Sequence, residues 1–265
     1  MYSPFQLVAK YFQFWWKASN SKGHGVHSPF VYDFIRKVLI DKTSYSAYAK
    51  VDNWKSQLLA DRSVLAIEDL GAGSRKGNNL HRSIAEITQN ASKPKKVGRL
   101  LFRIVQYYKP ATILELGTSM GLSTAYFSLA NSASTIVTIE GASSVAKQAV
   151  DNFSNWGIAN VKLINGNFDT VLPAVLNSLD KLDFAFVDGN HRKAPTLQYF
   201  DLLLKKSHPG TIIIFDDIHW SKEMEEAWEV ISTHTSVKCS IDLFYMGIIL
   251  LRTDFYQLEN FSIPL

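Results

Sequence analysis

Residues 112–130 read TILELGTSMGLSTAYFSLA: a short apolar run meets a turn at Gly117 and continues as a helix-like segment of small and apolar residues. A carboxylate, Glu115, sits at the end of the run, and Gly117 and Gly121 flank the turn. A strand that enters a glycine-bounded turn and then a helix predicts an α/β layer with a nucleotide-shaped pocket at the turn.

The surrounding chain keeps that rhythm. Val97, Leu100, Leu101, Ile104, Val105 and Tyr108 mark one face of a helix that Pro110 stops. Strands are expected at 112–116, 135–140, 161–164, 184–188 and 211–215. The helices between and after them run to 131 and over 143–155, 168–178, 194–206 and 222–233. Two last strands, 237–244 and 247–251, lie only a few residues apart and should pair antiparallel. The pattern predicts a Rossmann-like, seven-stranded, mostly parallel α/β sheet with helices on both faces and a C-terminal antiparallel strand pair.

Residues 1–96 are expected to form a helical and loop extension, a lid or oligomer contact, ahead of a catalytic domain at 97–265. Phe5, Val8, Ala9, Phe12, Trp15 and Trp16 recur at helical spacing over residues 4–17. That amphipathic face should pack on the main domain or on a second subunit. The other reading is an interfacial membrane helix, with Lys10 and Lys17 at the headgroups. A turn at 23–30 (GHGVHSPF) carries His24 and His27, read as loop or lid residues because no carboxylate or thiol accompanies them. A short helix is expected at 31–40. The acid-plus-glycine sequence EDLGAG near residue 70 imitates a cofactor turn, but the residues after it, RKGNNLHRS, are polar and broken by glycine. Residues 71–79 are read as a loop: either a plain connection or a lid bringing Arg75, Lys76 and Arg82 to an anionic substrate.

Bulk properties exclude several classes. Apolar residues make up 46% of the 265 and charged residues 20%, the balance of a globular chain with a sizeable core. A net charge of +4, without a dense basic stripe interleaved with aromatics, does not argue for nucleic acid. Cys239 is the only cysteine, so an internal disulfide or thiolate metal cluster is excluded and a reducing, cytoplasmic setting is expected. The first residues lack the basic lead and cleavage site of a signal peptide. No apolar run reaches the ~20 residues that span a bilayer.

Ligands of open α/β sheets bind beyond the carboxyl ends of the strands. Here those ends carry Glu115, Glu140, Asp188 with His191, and Asp216-Asp217 with His219 behind them, while Gly166, Asn167 and Phe168 come after the third strand. A carboxylate after the second strand can accept both vicinal hydroxyls of a ribose. Helix N-terminal amides near Gly121, with the Ser123 hydroxyl, suit an anionic group. Phe168 could cover an adenine whose edge bonds Asn167.

Taken together, ELGTSMGLSTAY, VTIEG, FVDGNH and IIIFDD resemble the class I S-adenosylmethionine-dependent methyltransferases. They are similar, more narrowly, to the catechol-type and related small-molecule O-methyltransferases over about residues 97–253. The resemblance implies that Glu115, Gly117, Thr118, Ser119 and Gly121 hold the methionine part of adenosylmethionine, with Ser123 near its carboxylate. It implies Glu140 at the ribose, Asn167 and Phe168 at the adenine, and Asp188 shared between cofactor and catalysis. In the metal-dependent branch, Asp188, Asp216 and Asp217 would bind Mg²⁺ or another divalent cation. The Asp217 position is Asn in catechol-type enzymes; Asp there fits the branch whose fourth strand ends D-G-x-H. His191 is the expected general base and His219 its rival.

The expected activity is methyl transfer to a hydroxyl of a small-molecule acceptor, with divalent-metal assistance and a homodimer contact as further expectations. Two rivals stay open. An NAD-dependent oxidoreductase shares the strand, turn and acid, although its G-x-G-x-x-G spacing is not met here. A non-catalytic cofactor-binding interaction module would bind without transferring.

Overall fold

The computed structural model describes residues 1–18, 28–67, 81–253, 255 and 257–265. His24 and His27, the EDLGAG sequence, and the 71–79 loop with Arg75 and Lys76 lie outside the described residues.

Helices α1 (Pro4–Lys17), α2 (Pro29–Phe34, continued by a π-helical turn at Ile35–Leu39) and α3 (Ser46–Ala60) come first. A ribbon of β1 (Val64–Ala66) and β2 (His81–Ser83) leads to α4 (Ile84–Ala91) and α5 (Lys95–Tyr108). Alternation then sets in with β3 (Thr112–Leu116), α6 (Leu122–Ala130), β4 (Thr135–Glu140), α7 (Ser143–Asn155) and β5 (Val161–Asn165). It continues through α8 (Phe168–Ser178), β6 (Leu182–Val187), α9 (Lys193–Leu204), β7 (Ser207–Asp216) and α10 (Lys222–Ser232). Strands β8 (Cys239–Asp242), β9 (Met246–Leu250) and β10 (Glu259–Ser262) close the chain.

Two compact units divide these elements, one of residues 41–171 and one of residues 1–40 with 172–265. In the first, β4 pairs parallel with β3 and with β5, setting Leu116 beside Ile139 and Glu140 beside Asn165. Tyr48, Val51 and Leu58 of α3 and Ile84 and Ile87 of α4 share a buried core with Phe102, Met120, Leu122, Tyr126 and Val145. The segment 46–91 therefore supplies apolar cover to the unit that contains the glycine turn. Helix α4 announces itself by a capping box: Ser83 Oγ accepts from Glu86 N and the Glu86 carboxylate accepts from Ser83 N.

In the second unit β6 runs parallel to β7, with Val187 beside Phe215, and β7 runs antiparallel to β9. Strands β8 and β9 form the expected antiparallel pair. All seven expected strands, β3 to β9, are present, and the structure adds β10, parallel to β8. The residues of β10, ENFS, lack the alternating branched and aromatic side chains by which strands are recognised.

Helix α1 has the predicted limits, and of the two packings expected for its aromatic face the one on its own main domain is not the one found. Phe5, Phe12 and Trp16 are 89%, 65% and 85% exposed, so that face is not packed on the described residues of its own chain. The inner face is the other one: the Tyr11 ring meets Phe244 edge-on at 5.0 Å, and Phe14 lies 5.4 Å from the same ring. Periodicity located the wider apolar stripe; Tyr2 and Lys10, whose polar atoms tie the helix to Glu225, selected the narrower one. Among the described residues no helix is long and apolar enough to cross a membrane.

Candidate active site

The glycine turn between β3 and α6 is fixed from three sides. Gly121 caps α6 at a φ of +83°, and a Cβ there would lie 2.4 Å from the Phe153 ring, so the left-handed backbone and the close packing both demand glycine. Asn152 Nδ2 donates to the Met120 carbonyl at 3.0 Å. Ser119, at a φ of +49°, donates its backbone N–H to Glu140 Oε2 at 2.9 Å. The N-cap residue Gly121 has no side chain to cap α6, and a helix N-terminus of this kind suits an anionic group.

Glu115 is fully buried and surrounded by hydroxyls. Ser123 and Thr124 each donate to it, and Thr138 Oγ1 donates at 2.7 Å. Donors aimed at both oxygens compensate the loss of water around the carboxylate. Ser123, expected near a cofactor carboxylate, thus has its hydroxyl on Glu115, and both belong to the scaffold of the turn. Thr118 is buried too, its hydroxyl 2.6 Å from that of Thr138. Thr124 and Thr138 were not singled out from sequence; hydroxyls on a buried helix face and strand carry no pattern of their own.

Glu140, at the end of β4, is half-buried and accepts Ser119 N on one oxygen and Ala142 N, at 3.0 Å, on the other. A carboxylate at this strand end is the group type that binds vicinal hydroxyls. Asn165 Nδ2 bridges the carbonyls of Glu140 and Gly141 at 2.8 and 3.1 Å, and Gly166 N donates to Glu140 O at 2.9 Å. Position at a strand end was the only signal for Asn165. Asn167 Oδ1 accepts from Asp169 N at 2.9 Å and so caps the start of α8, placing half-buried Phe168 in the first turn.

The second group of expected residues lies in the other unit, at the ends of β6 and β7. His191 Nε2 stands 3.7 Å from Asp188 Oδ1 and 4.0 Å from Asp217 Oδ2, so two of the predicted carboxylates face the predicted imidazole. The backbone departs from ordinary geometry to arrange this: Asn190, His191 and Asp217 have φ of +67°, +36° and +54°. Such strain concentrates where a surrounding framework imposes it, commonly at functional sites. Part of that framework is polar. Asn190 Nδ2 donates to the buried Tyr199 hydroxyl at 2.9 Å, and Asp217 N donates to Tyr245 O at 2.7 Å.

His219 sits elsewhere. Its Nδ1 is 3.0 Å from Glu225 Oε1 and its Nε2 2.8 Å from Asp242 Oδ2, while the ring stacks on Phe244 at 5.0 Å. Burial disfavours the imidazolium, but the hydrogen bonds and charges of Asp242 and Glu225 outweigh it and raise the pKa of His219 above its ordinary value. An imidazole with both nitrogens on carboxylates has no nitrogen left for a substrate proton.

The metal set behaves differently from its expectation. Asp216 is 2% exposed, and Asp188 and Asp217 both face His191 Nε2. Among the described residues no three His, Cys, Asp or Glu side chains converge so as to hold an ion. Asp188, Asp216 and Asp217 do not make such a group in this arrangement. Cys239 is buried, and burial, then the nearby Glu259 charge, push its thiol up to about 12, which leaves it unreactive.

Residues 114–218 match the family described as a methyltransferase domain. The catechol O-methyltransferase of Niastella koreensis is 30% identical over 124 residues, which make up 46% of this chain and 55% of that relative, so the match spans about half of the relative's length. Among solved structures, the O-methyltransferase TomG from Streptomyces achromogenes, in complex with SAM, superposes with a TM-score of 0.57 at 19% identity, covering 79% of this chain and 91% of that one. The O-methyltransferase from Bacillus cereus in complex with SAH gives 0.56 at 21% identity, covering 83% and 97%. The resemblance read at the strand ends is thus borne out: this chain has the Rossmann-like fold of the class I methyltransferases, and residues 114–218 within it match the methyltransferase-domain family.

Proposed function

We propose that this chain transfers a methyl group from adenosylmethionine to a hydroxyl of a small-molecule acceptor. The observation that carries the reading is the His191 imidazole held between Asp188 and Asp217 at the ends of β6 and β7. An imidazole so placed can take a proton from an acceptor hydroxyl. The named O-methyltransferases to which the chain is similar support a hydroxyl as the acceptor group.

Adenosylmethionine, when bound, supplies a methyl group on a sulfonium that a nucleophilic oxygen can displace in line. The residues of the turn suit its binding: Glu140 for the ribose hydroxyls, Asn167 and Phe168 for the adenine, and the uncapped end of α6 beyond Gly121 for the methionine carboxylate. Glu115 and Ser123 act beneath them, holding the turn in shape. Alignment and proton removal are the protein's contribution. No step is routed through a divalent cation, because the donors do not converge on one. Residues 1–96 would then serve the acceptor side or a contact with a second copy, and residues 97–265 the chemistry.

Calorimetry with S-adenosylhomocysteine, paired with transfer of a labelled methyl group to catechol and related hydroxylated probes, tests the reading. Binding and transfer are expected. Binding of NAD in place of S-adenosylhomocysteine would overturn it in favour of an oxidoreductase. Binding with no transfer across a broad acceptor panel would reduce the chain to a cofactor-binding module.

A further inference from the structure

Glu225, on α10, is the point where the N-terminal helix is fastened. Tyr2 Oη donates to its Oε2 at 2.7 Å, and Lys10 Nζ reaches both oxygens at 3.0 and 2.9 Å. His219 Nδ1 meets Oε1 at 3.0 Å. The backbone joins in: Tyr2 N donates to Trp220 O at 3.0 Å, and Trp220 N donates to Asp217 O at 2.9 Å. Beneath them Tyr11 and Phe14 press on Phe244, which stacks on His219, and Tyr11 lies against Tyr245 at 6.2 Å. Tyr245 is the residue whose carbonyl holds Asp217 N. The only residues between the Asp217 carboxylate, facing His191, and the clamped pair His219 and Trp220 are Asp217 itself and Ile218, which is 1% exposed.

We propose that α1 is a strap that fixes the segment after β7, with Glu225 as the positioning residue through which it sets Asp217 against His191. The proposal rests on the methyl-transfer reading for its consequence in catalysis, but the coupling from Glu225 to His191 is a statement about geometry alone. Asp217 has a left-handed backbone, an uncommon conformation for a residue other than glycine. It is held by Tyr245 O on one side and by the Trp220 turn on the other; Tyr11 of α1 lies against Tyr245, and Tyr2, just ahead of α1, bonds Trp220 O. Loosening α1 lets the carboxylate drift from the imidazole, and a displacement of that kind lowers the turnover rate without removing any group that touches substrate.

The test compares the full chain with Glu225→Gln, Lys10→Met, the double variant and Tyr2→Phe. Catechol serves as the acceptor probe, and the His191 Cε1–H resonance, assigned through His191→Gln, is followed by NMR. Glu225→Gln and Lys10→Met are each expected to lower kcat by about ten-fold, and the double variant no further than Glu225→Gln, because both act at one point. KM and S-adenosylhomocysteine affinity should stay within about two-fold, and the His191 resonance should move in both variants. A lowered melting temperature with an unmoved His191 resonance would overturn the strap and leave Glu225 a stabilising residue only. Multiplying effects in the double variant would overturn it as well. If the wild-type chain transfers no methyl group, the function fails separately, and the resonance still decides the strap. Should Glu225→Gln not fold, Tyr2→Phe, which deletes a single hydrogen bond, must move the same resonance by a smaller amount; no movement overturns the proposal.

Discussion

Ser119 and Glu140 lie 21 positions apart in the chain, and the backbone N–H of the first donates to the carboxylate of the second at 2.9 Å. The acid at the end of β4 therefore locks the glycine turn, with Ser119 N on one oxygen and Ala142 N on the other. Locking orients Glu140 before any ligand arrives, and a donor or acceptor already in place loses less freedom on binding.

Glu140→Ala should consequently weaken S-adenosylhomocysteine binding by about 10- to 100-fold, the loss expected for hydrogen bonds from ribose hydroxyls to a charged acceptor. It should also lower the melting temperature, since the amides of Ser119 and Ala142 lose their partner. Glu140→Gln keeps an acceptor and should be intermediate in both. Calorimetry and thermal unfolding on the same samples separate the two effects. Unchanged affinity with a lowered melting temperature would assign Glu140 to the scaffold alone.

Gly121→Ala is expected to destabilise the chain by about 2–4 kcal/mol, from a left-handed backbone and a methyl group forced into the Phe153 ring. Adding Phe153→Leu should recover part of that loss, because it relieves the contact and leaves the backbone strain. Denaturant unfolding of the two variants is the measurement. Full recovery would mean that packing alone, and not the φ of +83°, requires glycine there.

Most of the fold was legible in the sequence wherever a buried strand and a one-faced helix succeed each other, since each period states its own element. β3 and β4, with their near-continuous apolar runs, were placed to the residue. What escaped has physical reasons. Helix α3 carries Tyr48, Val51 and Leu58 inward amid polar residues, too sparse a stripe to recognise without its partner core. Strand β10 is specified by its neighbour β8, not by its own residues. The site shows the same division. Residue type and position placed Glu140, Asp188, Asp217 and His191 at or just beyond strand ends, and that is where they stand. The fate of His219 depended on Asp242 and Glu225, which lie on elements the local sequence does not connect to it.

His191→Gln should cut kcat by roughly 10²- to 10⁴-fold, the range for losing a general base, while S-adenosylhomocysteine affinity stays within about two-fold. Asp217→Asn should lower kcat less, because Asp188 still faces the imidazole. Neither chelator treatment nor added Mg²⁺ should change wild-type turnover, since among the described residues no three His, Cys, Asp or Glu side chains form a group that could hold an ion. A wild-type rate that collapses with chelator and returns with Mg²⁺ would show that these carboxylates rearrange around a cation, and would displace His191 from its proposed role.

The α1 fastening should make stability depend on pH in a bounded window. His219 has its pKa raised in the folded chain, because hydrogen bonds and charges of Asp242 and Glu225 outweigh its burial. Its contribution is therefore complete below the ordinary histidine value of 6.5 and is lost as pH rises through the higher folded value. Glu225 has its pKa lowered: burial opposes the charge, and hydrogen bonds from Lys10, Tyr2 and His219 outweigh it. Its contribution is complete above the ordinary glutamate value of 4.5 and is lost as pH falls through the lower folded value. Melting temperatures of wild type and Glu225→Gln should accordingly differ most between about pH 4.5 and 6.5. On the acid side the difference should vanish as Glu225 takes up its proton. On the alkaline side it should settle to a smaller plateau, because Lys10 stays charged and keeps its bond to Glu225. A difference that is flat from about pH 4 to 9 would mean that His219 is not an imidazolium in the folded chain, and that Glu225 is held by Lys10 and Tyr2 alone.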